Sequence, residues 1–323
     1  MDTFSGMRKT AVVSFALFFA VSMVFATAAS AKTRLSVVSG STGGTFYVIM
    51  AGMGKLIDKY CADMTATVQG GTTATENAKL VGNGDADLGI GGSDVLSLAY
   101  TGGFGFDKKY DKLRMLMRGY NSMFHVIVLS NSPYQKIEDL RGKRIASYPG
   151  STSEFQTPAI MEAYGMAPGK DYVKIPMGIG EAAAALRDGH IDAIMQFGGV
   201  PLSSVTDLAA TKGIRFLGVS EEKQAQVMKK HGWVSRGMIA AGSYPKLTED
   251  VPAPAQMQCI FTNASLSEDV VYQIMSAVLD HGEELAEIHP MGKFFRPDTG
   301  FIDTVIPVHP GAVKYYRDKG VIK

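Results

Sequence analysis

The chain is poor in the residues that most often announce chemistry. Of its 323 residues only Cys61 and Cys259 are cysteines, and neither stands in a Cys-x-x-Cys pair. Thiol redox chemistry is therefore not indicated, and two cysteines this far apart are expected to be small buried hydrophobes rather than a bridge. The six histidines are scattered without metal-ligand spacing, so neither a metal nor a cofactor is expected. There is no G-x-S-x-G elbow, no H-E-x-x-H pair, no G-x-G-x-x-G fingerprint and no Gly-Lys-Ser/Thr of a phosphate loop. The expected reading is not an enzyme; an exported α/β enzyme stays as the lesser alternative, since a fold never fixes a function.

An excess of charge is also missing. Basic residues number 32 and acidic 31; without Arg8, Lys9 and Asp2 in the first 31 residues, the rest balances at 30 of each. A neutral chain argues against nucleic acid and against an anionic membrane surface as partners. Only one long uncharged run occurs, Ala11 to Ala29. Arg8-Lys9 precedes it and Ala29-Ser30-Ala31 follows, which is the order of a cleaved secretory signal over residues 1–31. The remainder is expected to be soluble, periplasmic and monomeric.

What the chain does have is repetition. Leu35-Ser-Val-Val-Ser-Gly40-Ser41-Thr42-Gly43-Gly44-Thr45 is echoed by Arg144-Ile-Ala-Ser-Tyr-Pro-Gly150-Ser151-Thr152-Ser153-Glu154. A second echo links Glu76 to Gly84 and Asp87 with Glu181 to Gly189 and Asp192, eight steps from Glu to Gly both times. Two copies are too few for a solenoid and fit two similar α/β lobes. Short apolar runs such as Leu35–Val38, Asp87–Ile90, Phe124–Leu129, Arg144–Ser147 and Ile191–Met195 alternate with helical spacing over 45–60, 75–82, 154–164 and 180–188. That rhythm predicts a parallel sheet with helices on both faces. Residues 243–254, rich in Pro, Lys, Asp and Glu, read as a linker.

A strand that ends in Gly-Ser/Thr before a helix aims unsatisfied N–H groups past the sheet edge, where an anion is favoured. Ser41, Thr42, Gly43, Gly44 and Thr45 make the first such loop, and Ser151, Thr152 and Ser153 the second. Two loops facing each other predict a two-jawed anion site. Each loop also reads as a plain capped turn, the second more so because Glu154 can complete a local cap. Ser93 and Asp94 are ambiguous in the same way: Asp94 caps a helix and leaves the Ser93 hydroxyl to face a ligand. Asp87 and Asp192 are expected to be turn residues that hold their own backbone.

The motifs resemble those of the TAXI-type solute-binding proteins of TRAP (tripartite ATP-independent periplasmic) transporters. The resemblance runs from about Thr33 onward and rests on Gly43-Gly44-Thr45-Phe46-Tyr47, on Thr75-Glu76-Asn77 with Gly84-Asp85-Ala86-Asp87, and on Ser93-Asp94-Val95. Leu140-Arg-Gly-Lys143 before Pro149-Gly150-Ser151, Gly199-Val200-Pro201 and Tyr244-Pro245 continue it. It departs at Gly92, at Thr152 and at Tyr120-Asn121-Ser122. It implies a type II-like, two-lobe periplasmic binding fold with the ligand in the inter-lobe cleft. Lobe I would comprise residues 32–122 and 252–323, and lobe II residues 123–251. It further implies a glutamate-like amino acid or a dicarboxylate as ligand and the TRAP permease subunits as partners; an ATP-driven importer is the alternative partner. An acidic ligand asks for a cation, for which Arg118 near the first crossover is the leading candidate and Arg236 the second. Tyr47, Tyr120, Phe197 and Gly198 are expected to wall the cleft.

Overall fold

The computed structural model of the protein describes residues 32–103, 105–231 and 234–323. The expected leader, residues 1–31, lies outside the described residues.

The chain opens with β1 (Thr33–Val38), α1 (Thr45–Tyr60), β2 (Met64–Gln69), α2 (Ala74–Asn83), β3 (Leu88–Gly92) and α3 (Ser93–Thr101). A long strand, β4 (Leu113–Leu129), follows, then β5 (Arg144–Ser147), α4 (Thr152–Ala163), β6 (Val173–Pro176), α5 (Ile179–Arg187) and β7 (Ala193–Gly198). Next come α6 (Ser203–Thr211), β8 (Ile214–Phe216), α7 (Glu221–Lys230), the small ribbon β9 (Met238–Ile239) with β10 (Val251–Pro252), and β11 (Ala255–Asn263). Four helices finish the chain: α8 (Glu268–Leu279), α9 (Gly282–Ile288), α10 (Pro297–Gly300) and α11 (Pro310–Asp318).

Among the described residues one nine-stranded sheet runs β2-β1-β3-β11-β4-β7-β5-β6, with β8 also against β4. The sheet is mixed rather than parallel, which corrects the expectation. β1 with β3, and β5 with both β6 and β7, are parallel and joined through helices. β11 with β3 and β4, and β4 with β7 and β8, are antiparallel. The reason is that β4 and β11 carry the chain in opposite directions between the two halves of the sheet, so each meets its neighbours head to tail. β4 pairs with β11 over residues 113–123 and with β7 over 123–127, so one strand belongs to both halves.

Helices cover both faces of each half. Against β1, β3 and the start of β4, one apolar cluster gathers residues of α1, α8 and α11 (Ile49, Leu56, Val271, Ile274, Tyr315), and a second gathers residues of α2 and α3 (Ala78, Val81, Val95, Leu96). Against β5, β7 and the end of β4, α4 buries Ile160 and Met161 on one side and α5 with α6 bury Ala182, Leu186 and Val205 on the other. Burying such side chains contributes roughly 1.5–3 kcal/mol each, which is what ties the amphipathic helices to the sheet. Cys61 and Cys259 are unbridged and buried, in different clusters. The stretch read as a linker also contains a buried anchor, Tyr244.

The second sequence echo is reproduced atom for atom in its roles. Asp87 accepts from Ser36 N at 2.7 Å and returns its own N–H to Ser36 O at 2.8 Å. Asp192 does the same to Arg144, at 2.9 and 2.8 Å. Both aspartates therefore hold a neighbouring strand, β1 at Ser36 and β5 at Arg144, not their own backbone.

Candidate functional site

Five helices begin around one cavity. It has a volume of about 60 Å³ and lies beyond the C-terminal ends of β1, β2, β5, β6 and β7, where ligands of open α/β sheets sit. Its walls are helix starts: Gly44, Thr45 and Phe46 of α1, Thr73 and Ala74 of α2, Ser151 and Ser153 of α4, Ile179 of α5 and Leu202 of α6. Its floor is the pair of crossing strands, through Tyr120 and Ser122 of β4 and Gln258 of β11.

None of the residues that line the cavity is Asp, Glu, Lys, Arg or His. The field inside is therefore set by backbone. Each helix start carries about half a positive charge, spread over N–H groups without intrahelical partners. Three of the five, α1, α5 and α6, have no side-chain cap. The other two are capped by Thr73, which accepts from Glu76 N at 3.2 Å, and by Ser151, which accepts from Ser153 N at 3.2 Å. Three buried polar atoms in the lining have no hydrogen-bond partner, Thr45 Oγ1, the Tyr120 hydroxyl and Gln258 Oε1. Such groups are costly unless something else satisfies them.

The halves also touch directly across the cavity. Thr75 N donates to Gly150 O at 3.3 Å, and Tyr148 OH to Thr72 O at 3.5 Å. Burial raises the Tyr148 phenol above its usual value, while the Ser41 hydroxyl beside it pulls the other way. Deeper, Gln156 of α4 donates to Asp94 Oδ2 at 3.4 Å, and Val95 N to Asp94 Oδ1 at 2.6 Å. Burial pushes the Asp94 carboxyl up to about 6 against these hydrogen bonds. Behind α6, Leu202 N donates to Tyr244 OH at 2.9 Å, and that hydroxyl lies 2.8 Å from His125 Nε2. The phenol proton thus goes to Nε2, leaving Nδ1–H to face Met123 O at 2.8 Å. Burial lowers this neutral imidazole to about 4.

Of the residues singled out from sequence, Ser41, Gly44, Thr45, Ser151, Ser153, Phe197 and Gly198 line the cavity, as does Tyr120. The positive φ of Gly43 (+86°) forms the turn that delivers Gly44 to the helix start. Thr42 is exposed on that turn, and Thr152 is the first residue of α4. Tyr47 sits half-buried beside Gly70, off the lining. Ser93 is buried but does not line the cavity, and Gly92 rather than Asp94 holds the N-cap position of α3. Arg118 also stays outside: its guanidinium donates to Asp303 at 2.7 Å. Arg236 pairs with Glu221 at 3.7 Å, and both are exposed. Thr72, Thr73, Ser122, Tyr148, Gln196 and Gln258 line the cavity without having been singled out. Two of them carried a signal. Thr73-Ala-Thr-Glu76 after Gly70-Gly71 is a strand–turn–cap pattern like the other two, and Gln258, with Gln256, puts an amide into a strand buried along its length.

Solved structures with a similar fold include a protein from Bordetella bronchiseptica RB50, at 19% identity over 90% of this chain and 81% of that one, TM-score 0.51. An ancestral arginine-binding protein bound to arginine is similar at 12% identity over 82% of this chain and 99% of that one, TM-score 0.50. The alkanesulfonate-binding protein SsuA from Xanthomonas axonopodis pv. citri, bound to MOPS, aligns at 15% identity over 90% and 92% of the two chains, TM-score 0.49. Identities this low speak for the fold alone, a mixed α/β fold found in a solute-binding protein. Residues 37–320 match the model of the NMT1-like family, and the chain belongs to that family.

Proposed function

We propose that the protein is a periplasmic solute receptor, released from a leader of residues 1–31, that captures a small organic anion and delivers it to a TRAP membrane permease. The carrying observation is the convergence of five helix starts on a cavity whose lining has no charged side chain. Such a site stabilises negative charge while supplying neither an acid nor a base to transform the ligand. The resemblance to TAXI-type receptors narrows the anion to a glutamate-like amino acid or a dicarboxylate and names the permease. The arginine-binding protein with this fold supports a receptor as well.

In this reading lobe I is residues 32–122 with 252–323 and lobe II is residues 123–251. Ser41, Gly44 and Thr45 grip from one lobe, and Ser153, Phe197 and Gly198 from the other, where Ser151 lines the cavity as the cap of α4. Bonds such as Thr75 N to Gly150 O form only when the lobes are shut, so a ligand that bridges both loops favours the closed form. Calorimetric titration against a panel of organic acids and amino acids should give one site per chain with the ligand recovered unchanged, and small-angle scattering should show compaction. Binding with no change of radius argues against closure, and turnover of the ligand argues for an enzyme.

A further inference from the structure

We infer that the ligand is a short hydroxycarboxylate: an acid that carries a neutral hydroxyl donor and no ammonium group. This rests on the receptor reading of the cavity and, within it, replaces the glutamate-like amino acid or dicarboxylate that the resemblance implies.

The first ground is the missing counter-charge. A carboxylate finds three helix starts without side-chain caps, but an ammonium group finds no acid in the lining. Two carboxylates that flank the lining are engaged elsewhere, and Glu76, close enough to act on the Tyr148 phenol, is exposed to water. Asp94 accepts from Val95 N and Gln156 Nε2, and Glu154 accepts from Gly150 N at 2.6 Å and faces Lys174 Nζ at 3.4 Å. The same helix starts that attract the acid repel a cation. An unpaired ammonium held out of water is strongly disfavoured.

The second ground is an acceptor that a carboxylate cannot satisfy. Gln258 turns its amide N–H toward Gln256 O at 3.2 Å, which fixes the flip and leaves Oε1 as the group without a partner. Gln258 is 2% exposed and Thr45, whose Oγ1 is also unpartnered, is 5% exposed. Gln196 likewise spends its amide N–H on a backbone carbonyl, Phe197 O at 3.0 Å. An acceptor needs an O–H or N–H, and the cationic N–H is ruled out by the first ground. The third ground is size. With a water occupying roughly 10–15 Å³ on this measure, a cavity of about 60 Å³ takes only a handful of non-hydrogen atoms.

Three acids on one skeleton test this: lactate, propionate and alanine differ only in hydroxyl, hydrogen or ammonium at carbon 2. Titration calorimetry of the full-length mature chain should rank lactate about tenfold tighter than propionate, because a site built for a hydroxyl rejects the analogue that lacks it. Alanine should bind at least about a hundredfold more weakly than lactate. In Gln258→Met the preference for lactate over propionate should fall to about one, with folding checked by thermal melting; if that variant does not fold, the wild-type ranking decides alone. Alanine or propionate binding as tightly as lactate overturns this inference and leaves the receptor reading standing. Absence of binding by these three and by glutamate and succinate overturns the receptor reading itself.

Discussion

The repeats at 76–87 and 181–192 match in their roles, whereas those at 40–45 and 150–154 share letters and one backbone bond, Gly44 N to Ser41 O and Glu154 N to Ser151 O, both at 3.0 Å, but not the side-chain bonds. In the first pair, Glu76 and Glu181 occupy the same third position of α2 and α5, and Asp87 and Asp192 hold a neighbouring strand by the same two bonds. In the second pair, Ser151 is the N-cap of α4 and its hydroxyl is spent on Ser153 N and Tyr148 O. Glu154 closes that loop by accepting from Gly150 N at 2.6 Å. Ser41 instead lies ahead of the helix, because Gly43 and Gly44 intervene and Gly44 takes the cap position without a side chain. An internal repeat is thus kept where its residues hold backbone and diverges where they face the cavity. The open loop has N–H groups to offer, and the closed loop has satisfied its own.

The contrast between halves extends to buried titrating groups, and there the largest effect is expected. Asp94, raised to about 6, adds stability that is fully present below its unfolded value near 3.8 and is lost as pH rises through 6. His125, lowered to about 4, adds stability that is present above 6.5 and is lost as pH falls through 4. Each amounts to about 3 kcal/mol at 1.36 kcal/mol per unit, so the two nearly cancel between pH 4 and 6.5. Asp94→Asn should leave a protein that loses about 3 kcal/mol more than wild type in urea melts as pH falls from 6.5 to 4; parallel wild-type and variant curves would contradict the assignment.

Next comes the loop contrast itself. Thr45→Val removes a hydroxyl from the open loop and should weaken ligand binding about tenfold or more, at roughly 1.5–3 kcal/mol for a charged hydrogen bond, with melting temperature unchanged. Ser151→Ala should do the reverse, costing about 1 kcal/mol of stability for a lost cap with affinity within about twofold. Equal losses of affinity in the two variants would erase the distinction. Asp87→Ala and Asp192→Ala serve as the control pair, each expected to cost about 1–3 kcal/mol and to agree within about 0.5 kcal/mol; a wide gap in their denaturation midpoints would mean the second repeat is less alike than its bonds. Smallest is Arg118→Ala, which breaks a partly exposed pair with Asp303. It should cost under about 1 kcal/mol and leave affinity untouched, whereas a marked fall in affinity would bring Arg118 back to the ligand.

The alternation of strands and helices was legible because each element is local: the apolar run 35–38, the helical spacing of 45–60, the Gly-Ser/Thr transitions. The first half of β4 was not, since Arg114, Arg118, Gly119, Asn121 and Ser122 interrupt any β pattern, and only pairing with β11, 134 residues away in sequence at Ser122 and Gln256, makes it a strand. For the same reason the walls of the cavity were partly read, through Ser41, Thr45 and Ser151, and its floor was not. Tyr120, Ser122 and Gln258 meet only once β4 and β11 lie side by side. Arg118 misled because proximity to the crossover says nothing about which side of the strand a residue faces, and Arg118 turns to Asp303.

The place of β11 between β3 and β4 also decides the order in which the molecule assembles. A chain that emerges from its N-terminus completes residues 123–253, with both of their apolar clusters, while β3 still has no partner on its β4 side. The half that begins first therefore finishes last, waiting for Ala255–Asn263 and for α8 to arrive. Until then β3 and the start of β4 present open edges, which are templates for pairing with another chain. Nascent chains stalled near residue 250 should carry one protease-resistant core and two sticky edges, and it is there that a chaperone has work to do.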